Sequence, residues 1–98
     1  MERKIGRNRG KPRLWLEGDY LNRAGLPHGS RWNLVPQADG FDIVRADDGK
    51  RKIAGTASRP IIDISGPRSL GAVAECATVT VTFDDGSGLI RVRKGTDK

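Results

Sequence analysis

Apolar residues in this chain fall into short blocks cut apart by glycine and proline, and several blocks alternate with polar residues as half-buried strands do. Leu14-Trp15-Leu16 is the first such strand, and Gly18 breaks it. Asp19 is placed to cap a helix of one to two turns through Leu21 and Ala24, and Gly25 supplies the left-handed residue that ends it. Leu26 and a turn-permitting Gly29 follow, and Arg31-Trp32-Asn33-Leu34-Val35 alternates as a second strand. Pro36 to Gly40 reads as a turn and Phe41 to Arg45 as a third strand. Asp48-Gly49 reads as a two-residue hairpin connection whose return strand is Lys50 to Ala54.

After a polar connector from Gly55 to Pro60, the same order of events returns. Ile61 to Ile64 is a strand, Gly66 breaks it, and Pro67 stands at the first position of a helix, where its missing N–H costs nothing. Arg68, Ser69 and Leu70 complete that helix, Gly71 lies near its end, and Val73 and Cys76 take the places of Leu26 and Gly29. Thr78 to Phe83 alternates strictly, Asp84 to Gly88 turns, and Leu89 to Arg93 is a closing strand. Leu14 to Gly18 matches Ile62 to Gly66 at an offset of 48 residues, and Trp32 and Leu34 match Val79 and Val81 at 47. The last strands align only to within about one residue, which leaves their inward faces open because side chains alternate at every step. The expected fold is mainly β: a small barrel of two strand–short helix–hairpin units in one chain, with a double-psi-like barrel as the alternative closure. Its domains are a flexible basic arm over 1–11, one barrel-like body over 12–93 made of repeats 12–54 and 60–93, and a tail over 94–98.

The run Ile62-Asp-Ile-Ser-Gly-Pro-Arg-Ser-Leu-Gly-Ala-Val-Ala-Glu-Cys-Ala-Thr-Val-Thr-Val, with Leu21, Ala24-Gly25-Leu26 and Gly29 in the same order in the first copy, resembles the SpoVT/AbrB-like family. That family includes the antitoxin MazE and, closer to this chain, SymE-like proteins. Its members dimerise one unit per chain into an interleaved barrel, so the resemblance implies a fused pseudo-dimer that binds DNA. The physical reason for pairing is that a four-strand unit cannot bury its own apolar face. The extra hairpin after Asp48-Gly49 departs from the family pattern.

Charge adds a partner class. The chain carries a net charge of +6, and Arg3, Lys4, Arg7, Arg9, Lys11 and Arg13 oppose only Glu2 in the first thirteen residues. Such clustering favours an anionic partner, with duplex DNA the first candidate. Arg23 on the first helix and Arg31 at the start of the next strand extend the candidate surface. Six cations meeting phosphates would give a log–log salt slope of about −5. Arg9-Gly10-Lys11-Pro12-Arg13 is also similar to an AT-hook core, whose slim extended backbone suits a narrow A·T minor groove. The superficially similar phosphate loop is rejected: only three residues separate Gly6 from Gly10, and Pro12 stands where a magnesium-binding hydroxyl belongs.

Trp32 belongs with the inward set, whereas Trp15 matches the polar Asp63 and faces away from Leu14 and Leu16, a possible stacking platform or partner contact. The single histidine, His28, has no second histidine to share a metal and no acid–base partner by spacing. Cys76 lies between small residues as a buried filler, and a lone cysteine makes no intramolecular disulfide. Asp47-Asp48 and Asp84-Asp85 precede glycines as turn residues do. No catalytic residue, metal site or cofactor is therefore expected. Without a long apolar run or a secretory leader, a soluble, cytoplasmic monomer or homodimer away from the membrane is expected. The leading function is a small non-enzymatic DNA-binding regulator or accessory factor. The alternatives are a phage-type anti-defence inhibitor, such as an anti-CRISPR, acting by protein binding, and a SymE-like RNA-targeting toxin.

Overall fold

Leu14 and Leu16 point together into the core from β3 (Lys11–Glu17), as their spacing predicts. The computed structural model describes residues 1–95, and among them are ten strands and two one-turn helices. The remaining strands are β1 (Glu2–Lys4), β2 (Gly6–Asn8), β4 (Arg31–Gln37), β5 (Gly40–Arg45), β6 (Arg51–Lys52), β7 (Ala54–Gly55), β8 (Pro60–Ser65), β9 (Thr78–Phe83) and β10 (Leu89–Lys94). The helices are α1 (Tyr20–Arg23) and α2 (Pro67–Leu70), the latter running into a 3-10 turn over Gly71–Val73. All strand pairs are antiparallel. A six-stranded sheet in the order β1-β9-β10-β5-β4-β6 curls into a half-barrel, and a four-stranded sheet in the order β2-β3-β8-β7 shares its core. Among the described residues no helix is long and apolar enough to cross a membrane.

The register follows from what must be buried. In the small sheet Leu14 faces Ile64, Leu16 faces Ile62, and between them Trp15 faces Asp63 on the outer side. All four aliphatic residues are buried, and a slip of one position would turn the slipped strand's pair into solvent. In the large sheet Phe41 faces Val92 and Ile43 faces Ile90, with Asp42 and Arg91 opposite each other between them. Leu21 of α1 and Leu70 of α2 plug the same core, joined by Trp32, Val79 and Val81.

Pro67 occupies the first position of α2, where the sequence places it, and Gly25 ends α1 at φ +90°. Asp19 departs from expectation: its side chain makes no capping bond and instead accepts from the Asn22 amide at 3.2 Å. A tie to the neighbouring side chain has replaced the backbone cap.

Three further expectations are corrected. The basic segment 1–11 is not a free arm, because β1 lies along β9, with Arg3 opposite Val79, and the Ile5 N–H donates to the Ala77 carbonyl at 2.9 Å. β2 then turns back onto β3 as a hairpin. Asp48-Gly49 does not return the chain onto β5, both of whose edges are already taken by β4 and β10. The chain crosses instead to the open edge of β4, where Arg51 faces Trp32. Gly49 is required at that crossing, since a Cβ there would lie 2.5 Å from the Trp32 backbone nitrogen. Finally, the connector from Gly55 to Pro60 is a second hairpin: Thr56 and Arg59 exchange backbone hydrogen bonds at 3.1 Å. Of the predicted tail 94–98, Lys94 ends β10, and residues 96–98 lie outside the described ones.

Candidate nucleic-acid interface

Arg7, Arg9 and Lys11 stand on one hairpin. Asn8 pairs with Lys11, so the loop is the two residues Arg9-Gly10, both at positive φ (+55° and +80°), the combination a type I′ turn requires. Arg9 is the one described residue other than glycine in that region. A side chain with a Cβ is disfavoured there by about 1–2 kcal/mol, so an arginine where glycine or asparagine would be easier is a notable choice. The same turn removes the AT-hook reading: the segment doubles back on itself, whereas a minor-groove hook is a single extended strand.

Strand pleat distributes the three cations. Lys11 shares its face with Arg13 and Trp15, Arg7 shares the opposite face with Pro12, and Arg9 sits at the tip. All three are exposed, and among the described residues none of them is in an ion pair. Beneath the hairpin, the Gly66 N–H donates to the Pro12 carbonyl at 2.9 Å, which brings α2 and its exposed Arg68 to the same end.

Other predicted cations are placed elsewhere. Arg13 is bidentate on Asp63, at 2.8 and 2.9 Å, and its guanidinium stacks over Trp15 at 4.6 Å. The hydrogen bonds to Asp63 hold the guanidinium's pKa above its ordinary value. Arg13 is thus neutralised within the fold. Arg3 covers the Tyr20 ring at 5.6 Å, and Arg23 covers Phe83 at 5.7 Å, with the two rings stacked at 6.1 Å. This ladder stands by the end of β3 away from the hairpin turn, beyond Glu17. The Tyr20 hydroxyl is buried with no hydrogen-bond partner among the described residues, and burial pushes its pKa up while Arg3 opposes the shift. Lys4 points to the outer face of the large sheet beside Thr78, and Arg31 lies on that face too, its guanidinium donating to the Gly49 carbonyl at 3.1 Å. The eight predicted cations therefore fall in four places, the hairpin trio, Arg13 on Asp63, the Arg3 and Arg23 ladder, and Lys4 with Arg31 on the outer face, and only the hairpin gathers three of them outside any ion pair among the described residues.

Trp15 is 42% exposed. It is held rigidly, with Arg13 against one ring face and its indole N–H donating to Glu17 at 2.8 Å. Arg59 also binds Glu17, at 3.1 Å. The platform is consequently aromatic and surrounded by matched charges. Trp32 is buried, His28 is exposed in its loop, and Cys76 is half-buried against the core, less enclosed than expected. Among the described residues no cluster of three His, Cys, Asp or Glu side chains has metal-binding geometry. No family model, curated protein or solved structure matches the chain.

Arg68 is the cation that sequence reasoning missed. A second missed signal is that Arg51-Lys52-Ile53 repeats Arg3-Lys4-Ile5 at the offset of 48 already seen for Leu14 and Ile62, with Pro60 repeating Pro12. Extending that alignment toward the N-terminus would have placed the arm in the sheets.

Proposed function

We propose that this chain is a small non-enzymatic DNA-binding protein, built from two copies of an AbrB-like unit, that touches duplex DNA with its β2–β3 hairpin. The observation that carries the reading is the gathering of Arg7, Arg9, Lys11 and Arg68 at one end of the small sheet, with none of them in an ion pair among the described residues. Clustered cations raise the local potential and attract phosphate in a way that scattered, neutralised ones do not.

Several coincidences support the duplication. Both sheet orders exchange one unit for the other when reversed, β1 with β6 and β2 with β7 at the edges. Arg3 faces Val79 as Arg51 faces Trp32, and Ile5 donates to Ala77 as Ile53 donates to Ser30. Gly66 donates to Pro12 as Gly18 donates to Pro60. Leu34 faces Ile43 as Val81 faces Val92, which sets the offset of the last strands at 49. With the units redrawn to begin at Arg3-Lys4-Ile5 and Arg51-Lys52-Ile53, each lends its first strand to the other's hairpin, the arrangement that an interleaved dimer implies.

The test is binding of the whole chain to a short synthetic DNA duplex across a salt series. Phosphate contacts from Arg7, Lys11 and Arg68, with Arg9 as a fourth where it too meets phosphate, predict a log–log slope of about −2.7 to −3.6. No binding at low salt would remove the proposal. A second reading, attachment to a protein partner, is favoured by the exposed, rigid Trp15 with its matched charges, since aromatic anchors dominate protein interfaces. Under that reading Trp15→Ala abolishes partner capture and leaves DNA affinity untouched.

A further inference from the structure

We infer that the β2–β3 hairpin is a two-stranded ribbon that enters the major groove of duplex DNA tip first, with Arg9 reaching the base edges. This rests on the DNA-binding reading above and adds the groove, the orientation and the reading residue.

Dimensions select the groove. Arg13 is the last residue of β3 that β8 holds, through its pairing with Ser65, and Pro12 is tied to Gly66. From Pro12 to the turn the hairpin projects freely for about 7 Å, two strand rises. The Arg9 side chain extends that reach past the roughly 8.5 Å depth of the major groove. Two paired strands lie about 4.8 Å apart between backbone axes, which fits a groove about 12 Å wide and overfills one about 6 Å wide.

Side-chain direction agrees with a tip-first approach. A ribbon entered this way turns its two faces toward the two phosphate walls, and each face carries one cation, Arg7 on one and Lys11 on the other. Gly6 and Gly10 add no side chain, which keeps the ribbon thin. Asn8 accompanies Lys11 and, like arginine, can bond bidentately to a base edge. Arg68 lies two residues beyond the Gly66 that is tied to Pro12, which adds an exposed cation near the base of the hairpin. The disfavoured φ of +55° at Arg9 is consistent with a position kept for its side chain, because glycine would suit the backbone better.

The equivalent hairpin supplies an internal contrast. At the offset of 48, Arg7, Arg9 and Lys11 correspond to Gly55, Ala57 and Arg59, and Arg59 is bound by Glu17. Only one of the two hairpins is equipped as a reader, so the chain is single-headed.

Arg9→Gly separates the side chain from the turn, since glycine keeps the positive φ. The whole chain and this variant are compared by fluorescence anisotropy on one DNA duplex and on an RNA duplex of the same sequence, with thermal melts as the folding control. The variant should melt no lower than the parent yet bind DNA about tenfold or more weaker. Methyl green, which occupies the major groove, should displace the parent chain, and netropsin, a minor-groove ligand, should not. Duplex RNA should bind weakly in both, because its major groove is too deep and narrow for a ribbon. Unchanged affinity in Arg9→Gly, displacement by netropsin alone, or equal affinity for duplex RNA would each overturn the inference while leaving DNA binding itself intact. Failure of the parent chain to bind any duplex would overturn the proposed function as well.

Discussion

The hairpin that turns at Arg9-Gly10 and the one that turns at Ala57-Ser58 occupy corresponding places on opposite edges of the small sheet, yet they differ in nearly everything that meets solvent. The first carries three cations outside any described ion pair. The second carries Thr56, Ala57 and Ser58, closed by Thr56 Oγ1 accepting from the Arg59 N–H at 3.2 Å. Their buried frames coincide: both hairpins lean on a buried proline, Pro12 or Pro60, whose carbonyl accepts from the glycine that precedes or opens a helix, Gly66 or Gly18. What differs is therefore decoration on a common frame, and decoration is where partner choice resides.

The comparison breaks most severely in the core. If the halves are structurally equivalent, Leu16→Ala and Ile64→Ala should each cost about 2–5 kcal/mol in urea unfolding, and by similar amounts, because each empties one aliphatic site of the same layer. A large loss in one and a trivial loss in the other would show that the halves share topology without sharing the load. Next in size is the charge contrast. Converting Arg7, Arg9 and Lys11 to Ser, Gly and Ser should make the salt slope shallower by about 1.8, for the two phosphate contacts made by Arg7 and Lys11. Arg59→Ser, on the other hairpin, should leave the slope within error, since Glu17 already holds that guanidinium.

A smaller effect sharpens the same point from the opposite side. Asp63→Asn releases Arg13 from its bidentate partner on the outer face of the small sheet. The slope should then steepen by up to about 0.9 as a fourth cation on the hairpin strands becomes available. The smallest prediction concerns the far end of β3. Burial raises the pKa of Tyr20 in the folded state, so the fold holds this proton more tightly than the unfolded chain does. The corresponding stability is complete below the ordinary tyrosine value of 10.0 and is lost as pH rises through the folded value. Tyr20→Phe, which deletes an unpartnered buried hydroxyl, should be neutral or stabilising by up to about 1 kcal/mol and should flatten that alkaline decline, as read in melts across pH 8 to about 11.

How far the sequence anticipates this molecule depends on the range of the interaction that decides each element. Strands β3, β4, β8 and β9 are written in local alternation, and α2 in Gly66-Pro67, so they were legible. β1 is too short to show a period, and what makes it a strand is pairing with β9, invisible in a local window; at β6 a strand was expected, but its pairing with β4 was not. The same reason explains Asp48-Gly49: its turn chemistry is correct, but the expected partner β5 was already enclosed. At the site, clustered charge pointed to Arg7, Arg9 and Lys11. The neutralisation of Arg13 depended on knowing that Asp63 would lie across the strand from Trp15, and the contribution of Arg68 depended on where α2 ends up.

The distant pairing of the N-terminal strands sets the order in which this protein can assemble. β1 has no partner until Thr78 to Thr80 exist, and β3 must wait for β8. A chain emerging from the ribosome therefore presents Leu14, Leu16 and Trp32 to the cell before their cover has been synthesised. Folding dominated by such distant pairings is slow for its size. The β2–β3 hairpin lies between β1 and β3, so the strands that anchor it at both ends are docked only after β8 and β9 have been made.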